Sequence, residues 1–212
     1  MPEPALHEQY STIAQQERTY HLGMWAFLAS EVLLFGTLFA AYAYYHIMYG
    51  HDFSEAIKDA DLAKGTIDTF ILATSTYTMT LSVLAIRKDN LPMAIAFTAL
   101  TAGLALSFLA IEGTEWATDI AKGAVPGASY HYAKLPAFGA KMYFTVFYFL
   151  TGLHMFHVTM GFFLLCGLTV RLMMNAYSSR SHLPLELGTM YWHFVDVMWF
   201  FIYACMYLGR SA

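Results

Sequence analysis

Apolar residues run along the chain in long blocks rather than at alternating or heptad spacings. Five blocks are long enough to cross about 30 Å of hydrocarbon at about 1.5 Å per residue. They lie near residues 22–47, 67–86, 91–113, 142–170 and 187–208. This pattern predicts an all-α polytopic membrane protein, a single bundle of five transmembrane helices over residues 1–212 with a polar N-terminal tail over 1–21. The connection through Arg87, Lys88, Asp89 and Asn90 is short. Spans two and three therefore pair as a tight antiparallel hairpin, with Pro92 tolerated in the first turn of the third. The connections at 48–66 and 114–141 are longer and polar, and the second carries Gly123, Pro126, Gly127, Pro136 and Gly139, which favour turns. No internal repeat at a period of about 20–50 residues interrupts this reading.

Composition points the same way. Of 212 residues, 58% are hydrophobic and 12% charged, against roughly 45–50% and about 25% in soluble domains. A net charge of −4 is mild and suggests no nucleic-acid partner. Cys166 and Cys205 are the only thiols and sit in separate apolar blocks, which speaks against a zinc knuckle or a disulfide framework. The first twenty residues are polar and acidic rather than basic, unlike a cleaved signal peptide. An odd number of spans puts the chain ends on opposite sides of the membrane. Arg87, Lys88, Arg171 and Arg180 on the N-terminal side nearly tie in number with Lys58, Lys64, Lys122, Lys134 and Lys141 on the other. The short Arg-bearing connections decide for N-terminus inside and C-terminus outside.

A charged side chain in hydrocarbon costs roughly 2.5–3.5 kcal/mol on insertion scales, so polar residues within the blocks need partners or a neutral form. Glu31, in LASEVLLFG, lies about nine residues into span one, and Asp196 about nine into span five, each roughly 14 Å deep. His154 and His157, in TGLHMFHVTMG, stand roughly 21–25 Å above the inner end of span four. A small tilt brings Glu31, His157 and Asp196 into one layer. With His154 and His193 they form an expected buried polar network. His154 and His157 are three apart on neighbouring positions of one helical face, a spacing that binds metals, yet no further ligand set accompanies them. Facing axial haem ligands at one depth are also absent, because His193 lies lower. No metal site is expected. Glu112 and Glu115, in IEGTEW, read as a solvated helix end in preference to a binding site. Arg171 closes span four, where it either snorkels or holds a lipid phosphate. Trp25, Trp116, Trp192 and Trp199 fit interfacial or packing roles.

The stretch YWHFVDVMWFFIY, residues 191–203, closely resembles the C-terminal signature of subunit III of the haem–copper respiratory oxidases. SEVLLFG around Glu31, GLHMFHVTMG around His154 and His157, and the T-E-W near Glu115 match in the same order. The resemblance covers the chain from about residue 20 onward. It implies a non-catalytic subunit of a proton-pumping cytochrome c or quinol oxidase that reduces oxygen to water in a bacterial cytoplasmic membrane. Haem and copper would then belong to partner subunits, and this chain would bind no redox cofactor. Subunit I would be a direct partner, with subunit II in the complex. Support of assembly, lipid binding, proton uptake and turnover stability is the implied role. Glu31 falls at the family's membrane-buried carboxylate, and Arg171 and His21 fall at positions that hold phospholipid headgroups, though His21 replaces a permanently basic residue. The chain resembles the short five-span form, which lacks the first two of seven helices. Two alternatives remain: the accessory membrane subunit of nitric oxide reductases, and a free-standing transporter relaying protons through Glu31, His157 and Asp196. No broken helix or inverted repeat favours the transporter.

Overall fold

The computed structural model describes residues 6–209, and among these the chain is helical with no β-strand. Six α-helices follow in order: α1 (Ile13–Met48), α2 (Gly50–Asp59), α3 (Leu62–Arg87), α4 (Leu91–Ala121), α5 (Phe138–Met173) and α6 (Leu183–Tyr203). A π-helical turn, Ala204–Leu208, prolongs α6. The helices α1, α3, α4 and α5 are long and apolar enough to cross a membrane, so the molecule is a multi-pass membrane protein. The fifth expected span coincides with α6, whose 21 residues include two Trp, two Tyr, His193, Glu186 and Asp196. Those amphipathic side chains keep α6 out of the strongly apolar set.

Helix boundaries differ from expectation where caps, not hydropathy, set them. In α1 the start is at Ile13, within the expected tail, because the Thr12 side chain accepts a hydrogen bond from the Gln15 amide at 3.2 Å. Similarly α4 runs to Ala121, eight residues beyond the expected end of its span. The 48–66 connection contains the amphipathic α2, capped onto α3 by Asp61, which accepts from the amides of Ala63 and Lys64. The short turn between α3 and α4 closes with Asp89 at φ 54°, and Asn90 caps the next helix by accepting from the Met93 amide.

Lipid tails are as apolar as Leu, so helices in a membrane associate through close packing and interhelical hydrogen bonds. Both devices are visible. Between α3 and α4, Ser82 and Thr98 hydroxyls meet at 2.6 Å and those of Thr78 and Thr101 at 2.8 Å. Around α6 the aromatic tips do the same work: Trp192 Nε1 donates to Ser75 Oγ at 2.9 Å and Trp199 Nε1 to Thr69 Oγ1 at 3.1 Å, both on α3. Tyr191 donates to the His157 carbonyl at 3.0 Å on α5. Trp192 and Trp199 are fully buried. Gly161 of α5 permits this, since a Cβ there would lie 2.7 Å from Trp192 Cζ3. In contrast α1 packs loosely, with 11% of its most apolar stretch buried.

Candidate functional site

The expected single polar network resolves into separate groups. Glu31 of α1 and His157 of α5 do meet: Glu31 Oε2 lies 3.1 Å from His157 Nε2. The other ring nitrogen, Nδ1, lies 2.8 Å from the Leu153 carbonyl one turn back, which fixes it as the donor. Nε2 therefore accepts a hydrogen bond from the carboxyl form of Glu31, or as Nε2–H donates one to its carboxylate form. Phe35 packs on the imidazole at 5.3 Å between ring centroids. The pair forms one wall of a lateral groove of about 600 Å³ whose remaining surface is apolar, with Met24, Phe27, Phe156, Met160 and Tyr191.

Asp196 faces a different helix. Its carboxylate turns to α3, where Thr76 and Ser75 hydrogen-bond Oδ2, and it makes no bond to Glu31 or His157 among the described residues. His193, one turn earlier, places Nε2 3.3 Å from Thr80 Oγ1. Depth counting sets height along a helix and leaves azimuth open, which is why these groups looked like one layer.

His154 does not share the direction of His157. Its ring is wholly buried between Phe108 and Trp199, at 5.3 and 5.1 Å between centroids, and neither nitrogen has a hydrogen-bond partner among the described residues. With one imidazole enclosed by rings and the other bonded to Glu31, the 154/157 pair presents no joint ligand face. Among the described residues no group of three or more His, Cys, Asp and Glu side chains is arranged to hold a metal ion. Cys166 and Cys205 are free.

At the α3–α4 turn end of the bundle, Glu186 gathers three cations or potential cations. Arg87 bonds it at 2.6 Å, His182 Nε2 lies at 3.1 Å and His21 Nε2 at 3.8 Å. Arg171, in the last turn of α5, is exposed and stands 5.8 Å over the Tyr177 ring. The expected lipid contacts thus differ: Arg171 is open to solvent or headgroups, and His21 already faces a carboxylate.

The opposite end holds acidic residues that are enclosed rather than solvated. Since α4 continues through them, Glu112 and Glu115 are buried, at 0% and 3% exposure, rather than forming a solvated end. Glu115 accepts from Tyr207 at 3.0 Å. Asp68 of α3 is buried and within electrostatic reach of Glu115. The sequence reading passed over it, since it stands at the head of an apolar block. Outside the spans, Asp59 closes α2 against the long connection, bonded by Lys134 and by Tyr132 at 2.9 Å, with Lys122 at 3.8 Å. Burial pushes the Asp59 carboxyl up, but the Lys134 and Tyr132 hydrogen bonds and the Lys122 charge outweigh it and hold it below the ordinary value of 3.8.

Comparison with known proteins shows the family. Residues 3–211 match the family model described as cytochrome c oxidase subunit III. The quinol oxidase subunit 3 of Bacillus spizizenii is 29% identical over 188 residues, covering 88% of this chain and 85% of that protein. The cytochrome c oxidase subunit 3 of Thermostichus vulcanus is 30% identical, covering 88% and 86%. The heme-copper oxidase subunit I+III of Aeropyrum pernix is 30% identical over 87% of this chain and 22% of its own longer sequence. With a partly buried carboxylate–imidazole pair in an all-helical membrane bundle and a match spanning nearly its whole length, this chain belongs to the subunit III family of the haem–copper oxidases.

Proposed function

We propose that this chain is the non-catalytic subunit III of a proton-pumping terminal oxidase that reduces oxygen to water with cytochrome c as electron donor. The family match across residues 3–211 carries the reading. Haem and copper reside in the partner subunits, and this chain contributes support for assembly, proton uptake, bound phospholipid and sustained turnover. Five helices cross a bacterial cytoplasmic membrane with the N-terminus inside, α6 being the fifth. Subunit I is the direct partner, a relation supported by the Aeropyrum pernix relative, whose name joins subunits I and III; subunit II completes the core.

A quinol donor is the second reading, favoured by the quinol oxidase names of relatives such as those of Bacillus spizizenii and Staphylococcus haemolyticus. Affinity purification through a tag on this chain tests both. The preparation should carry haem bands and consume oxygen with reduced cytochrome c. Consumption with quinol alone would shift the assignment to the second reading, and a colourless chain purified without partners would refute both.

A further inference from the structure

The two halves of α1 are held in different ways. Near its C-terminal end the Tyr42 hydroxyl donates to the Cys205 carbonyl at 2.8 Å, and the Tyr42 and His46 rings pack on Phe53 of α2 at 5.8 and 5.7 Å between centroids. Phe53, Ala56 and Ile57 seat α2 with no exposure, and Asp52 accepts from the Gly139 amide at the head of α5. The N-terminal half instead stands off from the bundle across two cavities. One is the lateral groove of about 600 Å³, which Met24, Phe27 and Glu31 bound on the α1 side. The other, of about 370 Å³, separates Ile13, Glu17 and Tyr20 of α1 from His182 and Leu183. Pro184 and Leu187 line both, so the two adjoin.

Two polar contacts reach from this half of α1 to α5 and α6, and each joins an imidazole to a carboxylate. His157 Nδ1 gives its hydrogen to the Leu153 carbonyl, so the 3.1 Å contact of Nε2 with Glu31 Oε2 holds only while a proton lies between them, on either atom. Without that proton a lone pair faces a carboxylate. The second contact sets His21 Nε2 3.8 Å from Glu186 Oε2. Burial pushes the Glu186 carboxyl up, but the Arg87 hydrogen bond and the charges of His182, Arg87 and His21 outweigh it and hold it below the ordinary value of 4.5. Glu186 thus stays a carboxylate near neutrality, and it attracts His21 only while that imidazole is charged. Imidazoles change charge between about pH 5 and 8, so both contacts weaken in the same direction, as pH rises. The Tyr42 bond, phenol to backbone carbonyl, contains neither imidazole nor carboxylate.

We propose that the N-terminal half of α1 is a proton-dependent gate on the lateral groove: with a proton in each contact it closes against α5 and α6, and loss of those protons releases it to tilt outward about Tyr42. Leu22 lies twenty residues from that pivot, roughly 30 Å along the helix, so a tilt of about 10° carries it about 5 Å. The same tilt moves Glu31 by about 3 Å, enough to break its bond, and Phe35 by only about 2 Å. Other titratable or charged groups face both contacts. Tyr191 of α6 and His154 of α5 stand beside the first. Around the second are Arg87 of α3, His193 of α6 and His182, with His7 and Glu17 across the smaller cavity.

Pulsed EPR distances in the purified complex test the gate. Spin labels go on Leu22→Cys and Met173→Cys, both exposed, with Cys166 and Cys205 replaced by Ser and a complex lacking the two introduced thiols as the blank. The distance should lengthen by about 5 Å between about pH 6 and about pH 9, values that bracket imidazole titration. In Glu31→Gln the side-chain amide donates to Nε2 whatever the pH, so the distance should stay short throughout. A constant distance in the otherwise native complex overturns the proposal, and so does a Glu31→Gln complex that lengthens as much as the native one. If Glu31→Gln does not assemble, the native titration decides alone. The readout needs neither haem nor turnover, so its failure leaves the oxidase reading standing.

Discussion

Glu31 carries its carboxylate on the least buried of the long helices, and His157 is the side chain that meets it. Glu31→Gln keeps a side chain able to bond Nε2, and the subunit should still assemble at native levels, as judged by its stoichiometry in the purified complex. Glu31→Leu instead leaves Nε2 facing an apolar wall. The expected loss is about 1–3 kcal/mol, the cost of an unpaired buried polar group, read as a lower midpoint in thermal unfolding of the complex. This pair was legible in the sequence, because both residues interrupt apolar blocks at heights that a small tilt brings together. The partners of Asp196 were not, because Ser75 and Thr76 read as ordinary small residues of span two and nothing in a depth count says which neighbour a side chain faces. His154 was misjudged for a related reason. A three-residue step rotates by about 300° on an ideal helix, enough to send one imidazole to Glu31 and the other between Phe108 and Trp199.

Among the elements, α6 shows how a helix rich in Tyr and Trp is held. Its interhelical hydrogen bonds are individually modest, about 0.6 kcal/mol each in membrane bundles, so their number and the close fit of the rings decide the outcome. The tightest fit is at Gly161, where the α5 backbone lies against the Trp192 indole. Gly161→Ala places a methyl 2.7 Å from Cζ3 of a fully enclosed ring. The ring has nowhere to retreat, and destabilisation of about 1–3 kcal/mol is expected from overpacking. Altered Trp fluorescence together with a lowered melting point would register it, and an unchanged melting point would show that α5 and α6 separate freely. Hydropathy located α6 and the four other long helices. It missed α2 because a ten-residue amphipathic helix leaves no long apolar block, and it ended α4 early because carboxylates stop an apolar count although they do not stop a helix.

For the whole molecule, sidedness separates the predictions. On the side of α2, the Asp59 clamp with Lys134, Tyr132 and Lys122 joins α2 to the long connection before α5. A carboxyl held below its unfolded value binds protons more weakly when folded, so its contribution is present above the ordinary pKa of 3.8 and fades as pH falls through the lower folded value. Native protein should therefore lose more thermal stability between pH 5 and 3 than Asp59→Asn, and equal pH slopes would refute this role. On the other side Arg171 is exposed and stacked on Tyr177. Arg171→Ala should lower the phospholipid retained by the purified complex and shorten its active lifetime, whereas unchanged phosphorus content would remove the headgroup role.

Three polar contacts tie α1 to its neighbours at three heights: His21 to Glu186, Glu31 to His157, and the Tyr42 hydroxyl to the Cys205 carbonyl at 2.8 Å. Advancing α1 by one residue shifts each by about 1.5 Å and turns it by about 100°, which breaks all three together. A helix with little packing of its own is thus keyed like a lock with three pins, and the bolt slides only when every pin is cleared at once.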